Sequence, residues 1–314
     1  MAQSMTKSVD ASVARVSAIA KDAPNYRFRV ADYAVILKPN VMSLVVFTAL
    51  VGLFLAPGSI DAPTAFIAVI CIALGAGGAG AVNMWYDRDI DFTMARTRAR
   101  PIPAGRMNPR AALIFGSVLA VVSVGAMAVF VNVVAAALLG ATFIYYVFIY
   151  TVWLKRRTPH NIVIGGASGA LPPVVGWAAV TGGIDAGALT LFAIIFLWTP
   201  PHSWALALFR RDDYARARVP MLPVVAGDRA TRNQILVYSL LLVPASLAPV
   251  AIGLSGVLYA VAASVLGVMF LRHAGRVWRD STDASARPMF GFSIVYLFLI
   301  FTFLLADIVV FLPI

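Results

Sequence analysis

This 314-residue sequence predicts an all-α integral membrane protein, a bundle of nine transmembrane helices, and three observations carry the prediction. Charged residues make up 12% of the chain and hydrophobic ones 61%, whereas a soluble domain carries about 25% charged residues. Apolar stretches that can cross a bilayer core of about 30 Å, which takes about 20 helical residues, recur along nearly the whole chain. All 25 lysines and arginines fall in five clusters near the ends of those stretches or between them.

The apolar segments run roughly over 34–55, 63–86, 111–131, 133–154, 162–181, 188–209, 233–253, 256–272 and 289–311. The third and fourth are divided only by Val131-Asn132-Val133, and length alone makes them two spans. The basic clusters are the tail to Lys38, Arg88–Arg110, Lys155–Arg157, Arg210–Arg232 and Arg272–Arg287, and the alternate connections carry none. By the positive-inside rule the N-terminus is expected in the cytoplasm and the C-terminus outside. The organisation expected is a cytoplasmic tail over 1–33 and one nine-helix membrane domain over 34–314. The tail has no apolar core followed by a cleavage site, and no acid-poor, Arg-rich presequence, so a bacterial inner (plasma) membrane is the expected home.

The formal charge of +11 is dispersed as topology signals, which argues against nucleic-acid binding. A single cysteine, Cys71, excludes an internal disulfide and any two-cysteine metal site.

Two basic loops are longer than a turn needs, Asp87–Arg110 after the second span and Arg210–Arg232 after the sixth. Long polar loops in a compact bundle usually carry function, so an active-site cavity facing the cytoplasm is expected. At the end of the second span, Asn83, Asp87 and Asp91 recur every four residues and share one helix face, while Asp89 points elsewhere. Three oxygen donors in a row suit a hard cation such as Mg²⁺ held together with phosphate oxygens. Arg96 and Arg100 follow, four apart if the helix runs on to Pro101, and guanidinium groups clamp phosphates well. The second loop repeats the mixture of acid and base, and of its adjacent Asp212 and Asp213 the sequence favours Asp213 as a ligand. Lys155 closes the fourth span on the same side, as a charge neutraliser or as a helix-end anchor.

Tyr146 and Tyr150 in the fourth span could face a cation with their π surfaces or form an interfacial belt. In the sixth span the double proline Pro200-Pro201 is expected to break the helix beside a cavity, next to His202. His202 reads as a base, an iron ligand or a packing residue.

Four separated blocks together resemble the UbiA superfamily of intramembrane prenyltransferases, and within it the branch that farnesylates haem b. They are Asn83–Asp91 with Arg96-Thr97 and Arg100-Pro101, then Asn161–Gly166 with Pro172-Pro173, then Trp198–His202, then Asp213-Tyr214 with Pro220–Pro223. Two positions depart from the pattern: Ser203, where an aromatic residue commonly follows the histidine, and Arg218, where a glycine commonly stands. The resemblance implies farnesyl diphosphate and haem b as substrates, haem O and diphosphate as products, and Mg²⁺ as cofactor. It implies Asn83, Asp87, Asp91 and Asp213 as catalytic metal ligands, Arg96, Arg100 and Lys155 as diphosphate-binding residues, and His202, Tyr146 and Tyr150 as substrate-binding ones. A haem A synthase becomes a candidate partner. The competing readings are a relative that prenylates a quinone precursor and, in another class, a secondary transporter.

Overall fold

The computed structural model describes residue 26, residues 28–280 and residues 282–311, and over these it contains helices, turns and loops but no strand. The first membrane unit is a pair, α1 (Val30–Ile36) and α2 (Pro39–Leu55), bent by 54° at Leu37-Lys38. The second is α3 (Ala62–Tyr86), and the short α4 (Arg88–Thr93) opens the loop behind it. The third and fourth are α5 (Pro109–Phe130) and α6 (Val133–Ile144), the latter running on as a π-helical stretch, π1 (Tyr145–Leu154). The fifth is divided into α7 (Asn161–Ala170) and α8 (Pro172–Thr181), and the sixth is α9 (Ala186–Phe209). After the short α10 (Arg211–Arg216) and α11 (Leu222–Val225) come α12 (Gly227–Ala251), α13 (Val257–Arg279) and α14 (Ala286–Phe311). Among the described residues eight helices are long and apolar enough to span a membrane, and the bent pair, counted as one span, makes nine. The expected 1–33 tail lies almost wholly outside the described residues.

The ends without basic residues are built by carboxylate and amide caps. Asp61 accepts from Thr64 N at 3.0 Å, and Asp185 accepts from Gly187 N at 2.9 Å. Asp307 of α14 accepts from Gly256 N and Tyr259 N at the start of α13, a cap supplied by another helix. Asn132 accepts from Ala135 N at 2.8 Å and donates to the carbonyls of Ala178 and Ala179, so the α5–α6 turn is tied to α8. Such caps satisfy helix-end groups that have no partner within their own helix. Large side chains such as Val121, Val129, Phe130 and Val265 stand exposed around the bundle, the inverse of a soluble protein and what a lipid-facing surface requires.

Two sequence expectations are corrected. The helix does not run to Pro101: α4 ends at Thr93, Met94 is extended, and residues 95–105 form turns. Nor does the helix break at Pro200-Pro201; α9 is continuous through both. The prolines cost two backbone hydrogen bonds, but both are buried among neighbouring helices, and Thr199 Oγ1 donates to the Ile195 carbonyl at 2.8 Å. Proline is tolerated inside a membrane helix where neighbouring helices pack around it. The interruption falls instead at Leu171, ahead of Pro172-Pro173.

Candidate functional site

The two long loops open alike, each on a six-residue helix that carries aspartates, α4 after the second span and α10 after the sixth. Between them, at the basic end of the bundle, lies a polar chamber of about 160 Å³. Lys38, Asn83, Asp91, Arg96, Arg100 and Lys155 line it. Deeper in the membrane lies an apolar cavity of about 780 Å³, walled by α2, α7, α9 and α14. Tyr146, Tyr150 and Ile162 border both, so the chambers meet at the two tyrosines.

Asn83, Asp87, Asp91 and Asp213 are all buried. The α3 ladder continues across the α4 start, with Asp87 N bonded to Asn83 O and Asp91 N to Asp87 O, so the four-residue spacing does align the first three. Asn83 donates to Asp87 Oδ2 at 2.7 Å and to Thr151 Oγ1 at 3.1 Å, and accepts from Lys38 Nζ at 2.8 Å. Lys155 also donates to Asp87, with Arg156 3.5 Å away. Arg100 pairs with Asp91 at 2.6 Å. Asp213 pairs with Arg216 and accepts from the Ala95 backbone at 3.4 Å, which joins the second loop to the first. Every carboxylate expected to hold a metal is thus held by a cation here, and no cluster of three His, Cys, Asp or Glu side chains poised for an ion occurs among the described residues. Asp89 and Asp212 face solvent, as their register requires. A hydrogen bond from Arg156 holds the Asp89 carboxyl below the usual carboxylate range.

The π-helical winding of π1 presents Tyr146 and Tyr150 side by side, ring centroids 5.4 Å apart. Tyr150 fits because Gly165 of α7 has no side chain: a Cβ there would lie 2.2 Å from the tyrosine ring. Tyr145 turns away and donates to the Ile164 carbonyl. On α9, His202 stacks between Trp198 and Phe290 at 4.3 and 4.7 Å. Its Nδ1 lies 2.7 Å from Ser293 Oγ, and that hydroxyl donates its one proton to the Phe290 carbonyl at 2.6 Å. Both contacts are satisfied only if Nδ1 carries the histidine's hydrogen, which leaves a lone pair on Nε2.

Three residues escaped the sequence reading. Lys38 looks like one more positive-inside residue, yet it sits in the left-handed region at φ 56°, where the bend of α1–α2 turns its ammonium into the chamber. Such strain costs about 1 kcal/mol or more, and it collects at functional sites. Ser293 lies 91 residues from His202, with no local signal. Buried Asp32 of α1 binds Arg106 Nε at 3.1 Å and staples α1 to the first loop.

The UbiA prenyltransferase family matches residues 45–305 of this sequence. The chain belongs to that family. As a UbiA-family prenyltransferase it is 57% identical over 280 residues to the protoheme IX farnesyltransferase of Parvibaculum lavamentivorans, covering 88% of each chain. It is 58% identical over 280 residues to the protoheme IX farnesyltransferase of Azorhizobium caulinodans, covering 88% of this chain and 91% of that one. Its fold is also that of a UbiA homolog from Archaeoglobus fulgidus solved with DMAPP and Mg²⁺, at TM-score 0.71 and 15% identity, covering 89% of this chain and 99% of the other. Arg218 occupies φ 52°, the left-handed region that favours glycine. Arg218→Gly is expected to raise stability by about 1 kcal/mol, read as a higher Tm in detergent, because the left-handed conformation costs a side chain about that much.

Proposed function

We propose that this UbiA-family prenyltransferase transfers the farnesyl group of farnesyl diphosphate to a vinyl group of haem b, giving haem O and diphosphate. The observation that carries the reading is the pairing of a cation-lined polar chamber with an apolar cavity containing His202, joined at two tyrosines. The diphosphate suits the first and the prenyl chain and macrocycle the second. The names of the two bacterial relatives support the acceptor.

Mg²⁺ fits the donor chemistry, because Asn83, Asp87, Asp91 and Asp213 offer only hard oxygen ligands. When bound with the diphosphate it would supply Lewis-acid neutralisation of the leaving group. The chain's own cations do the same from fixed positions: Lys38, Arg96, Arg100 and Lys155 stabilise the charge that develops as the C–O bond breaks and its electron pair leaves with diphosphate. Arg100 and Lys155 exchange carboxylate for phosphate oxygens as they do so. The allylic cation then meets the π faces of Tyr146 and Tyr150, in a passage whose apolar walls limit hydrolysis. The vinyl π electrons form the new C–C bond, and water adds to the resulting cation with loss of a proton, leaving a hydroxyethylfarnesyl group. His202 binds the acceptor through Nε2.

This reading keeps the bacterial inner membrane, a cytoplasmic N-terminus with its 1–33 tail, the 34–314 domain and an external C-terminus, since the polar chamber opens at the basic end. A haem A synthase remains the candidate recipient of the product. The test is purified protein with haem b, farnesyl diphosphate and Mg²⁺, following haem O by mass and repeating the assay after chelation. Haem O formed only with metal supports the proposal. Diphosphate release with a different prenylated acceptor overturns the haem assignment, and no consumption of farnesyl diphosphate returns the transporter reading.

Ser293→Ala is expected to raise the KM for haem b about tenfold, the worth of one polar contact that orients His202, with kcat less affected. Restoration by Ser293→Thr separates orientation of the imidazole from loss of packing.

A further inference from the structure

An acceptor with two carboxylates needs cations beyond the polar end of the apolar cavity, and two arginines on the helices that wall it are left unused by the reaction above. The cavity-facing stripe of α9 runs through Ile195, Trp198, Thr199 and His202. Continued at helical spacing, it reaches Phe209 and Arg210 at the basic end, with Arg210 about 12 Å above His202 at 1.5 Å per residue. The stripe of α14 runs through Phe290, Ile294 and Leu297, and Arg287 stands one turn before Phe290. The two guanidinium groups share one aromatic neighbour. Both lie over the Phe209 ring, Arg210 at 5.9 Å and Arg287 at 5.1 Å from its centroid. Phe209 meets Phe290 edge-on at 6.0 Å, and Phe290 is the ring stacked on His202.

Neither group has a firm partner. Arg210 approaches Asp213 only to 3.9 Å, and its Nε is buried without a hydrogen bond. Arg287 is exposed, and among the described residues its guanidinium contacts only the Phe209 ring. The rest of each guanidinium is open to a ligand, the Arg210 side chain being 40% exposed, and planar guanidinium groups match carboxylates best.

We propose that Arg210 and Arg287 are the carboxylate clamp of the acceptor. They bind the two propionate groups of the macrocycle at the membrane surface while its vinyl edge lies in the apolar cavity. The inference rests on the haem reading above and gives it an orientation: the acidic edge is fixed at the polar end, so the opposite edge faces the membrane interior where the prenyl chain lies.

The experiment is a visible-absorption titration of the full-length protein in detergent with haem b and, separately, with its dimethyl ester, whose carboxylates are neutral. The parent is expected to favour the diacid about 100-fold, at about tenfold per charge-assisted contact. Arg287→Gln and Arg210→Gln should each cut that preference about tenfold, and the double variant should abolish it. Arg272→Gln, an exposed basic residue on α13, should leave the preference intact, which separates a clamp from general positive charge. Equal binding of diacid and ester by the parent overturns the clamp alone. So does an Arg287→Gln variant that loses affinity for both ligands equally, since that marks a packing role. A parent that binds neither ligand overturns the haem reading and the clamp together.

Discussion

Asp87→Asn is expected to lower haem O formation at least about 10³-fold while the protein still inserts and purifies. The carboxylate is fully buried and receives Asn83 and Lys155 on one oxygen, with Arg156 near the other. Asparagine keeps the shape but removes the countercharge, so the Lys155 ammonium is left with only neutral acceptors. Breaking a buried pair costs about 3–5 kcal/mol. With Asp87 as a metal ligand, as proposed, the variant would also lose Lewis-acid assistance worth several kcal/mol, and about 4 kcal/mol is already 10³ in rate. Asp89→Asn is the matched control. Asp89 is exposed and held by Arg156, so its loss should cost no more than about fivefold. Turnover by Asp87→Asn within tenfold of the parent would remove Asp87 from the chemistry and leave it as a structural counterion.

The contrast between Asp87 and Asp89 was legible in the sequence, because residues two apart on a helix cannot share a face. So were the spans themselves, eight helices and a bent pair, since hydropathy reports directly on the bilayer. Span ends were less legible. Hydropathy stops where apolar side chains stop, whereas α12 begins at Gly227, ahead of the apolar run at 233, and α13 continues to Arg279. The added turns are held by Arg232, which donates to the carbonyls of Val277 and Thr282 and pairs with Asp283. Within the site, metal-type spacing on one helix could be read, but contacts across the bundle could not. Lys38 reaches Asn83 through a backbone bend and Ser293 orients His202 from another helix, whereas Tyr146 and Tyr150, four apart, were legible as a pair.

The same limit applies to glycine, and it leads to the second large effect. In an apolar span a glycine reads as a weak point of a helix, but Gly52 of α2 and Gly176 of α8 are where two backbones touch. A Cβ on Gly52 would lie 2.1 Å from the Pro173 carbonyl oxygen, and one on Gly176 the same distance from that of Ala49. Neither obstacle is a side chain that can turn aside, so any substituent must push the helices apart. Small residues at such seams are what allow membrane helices to pack, since lipid is as apolar as leucine and close contact supplies the attraction. Gly176→Ala is therefore expected to cost about 3 kcal/mol, at the upper end for overpacking, and Gly176→Val to prevent accumulation of folded protein. Gly125→Ala, where a Cβ meets nothing within 4 Å, should be neutral or slightly stabilising. The seam also bears on the chemistry, because α2 carries Lys38 at its start and residues such as Leu44 and Phe47 in the cavity wall. Folded Gly176→Ala protein should accordingly show a raised KM for haem b, and a parental melting temperature in that variant would show that α2 and α8 are not packed this closely in the membrane.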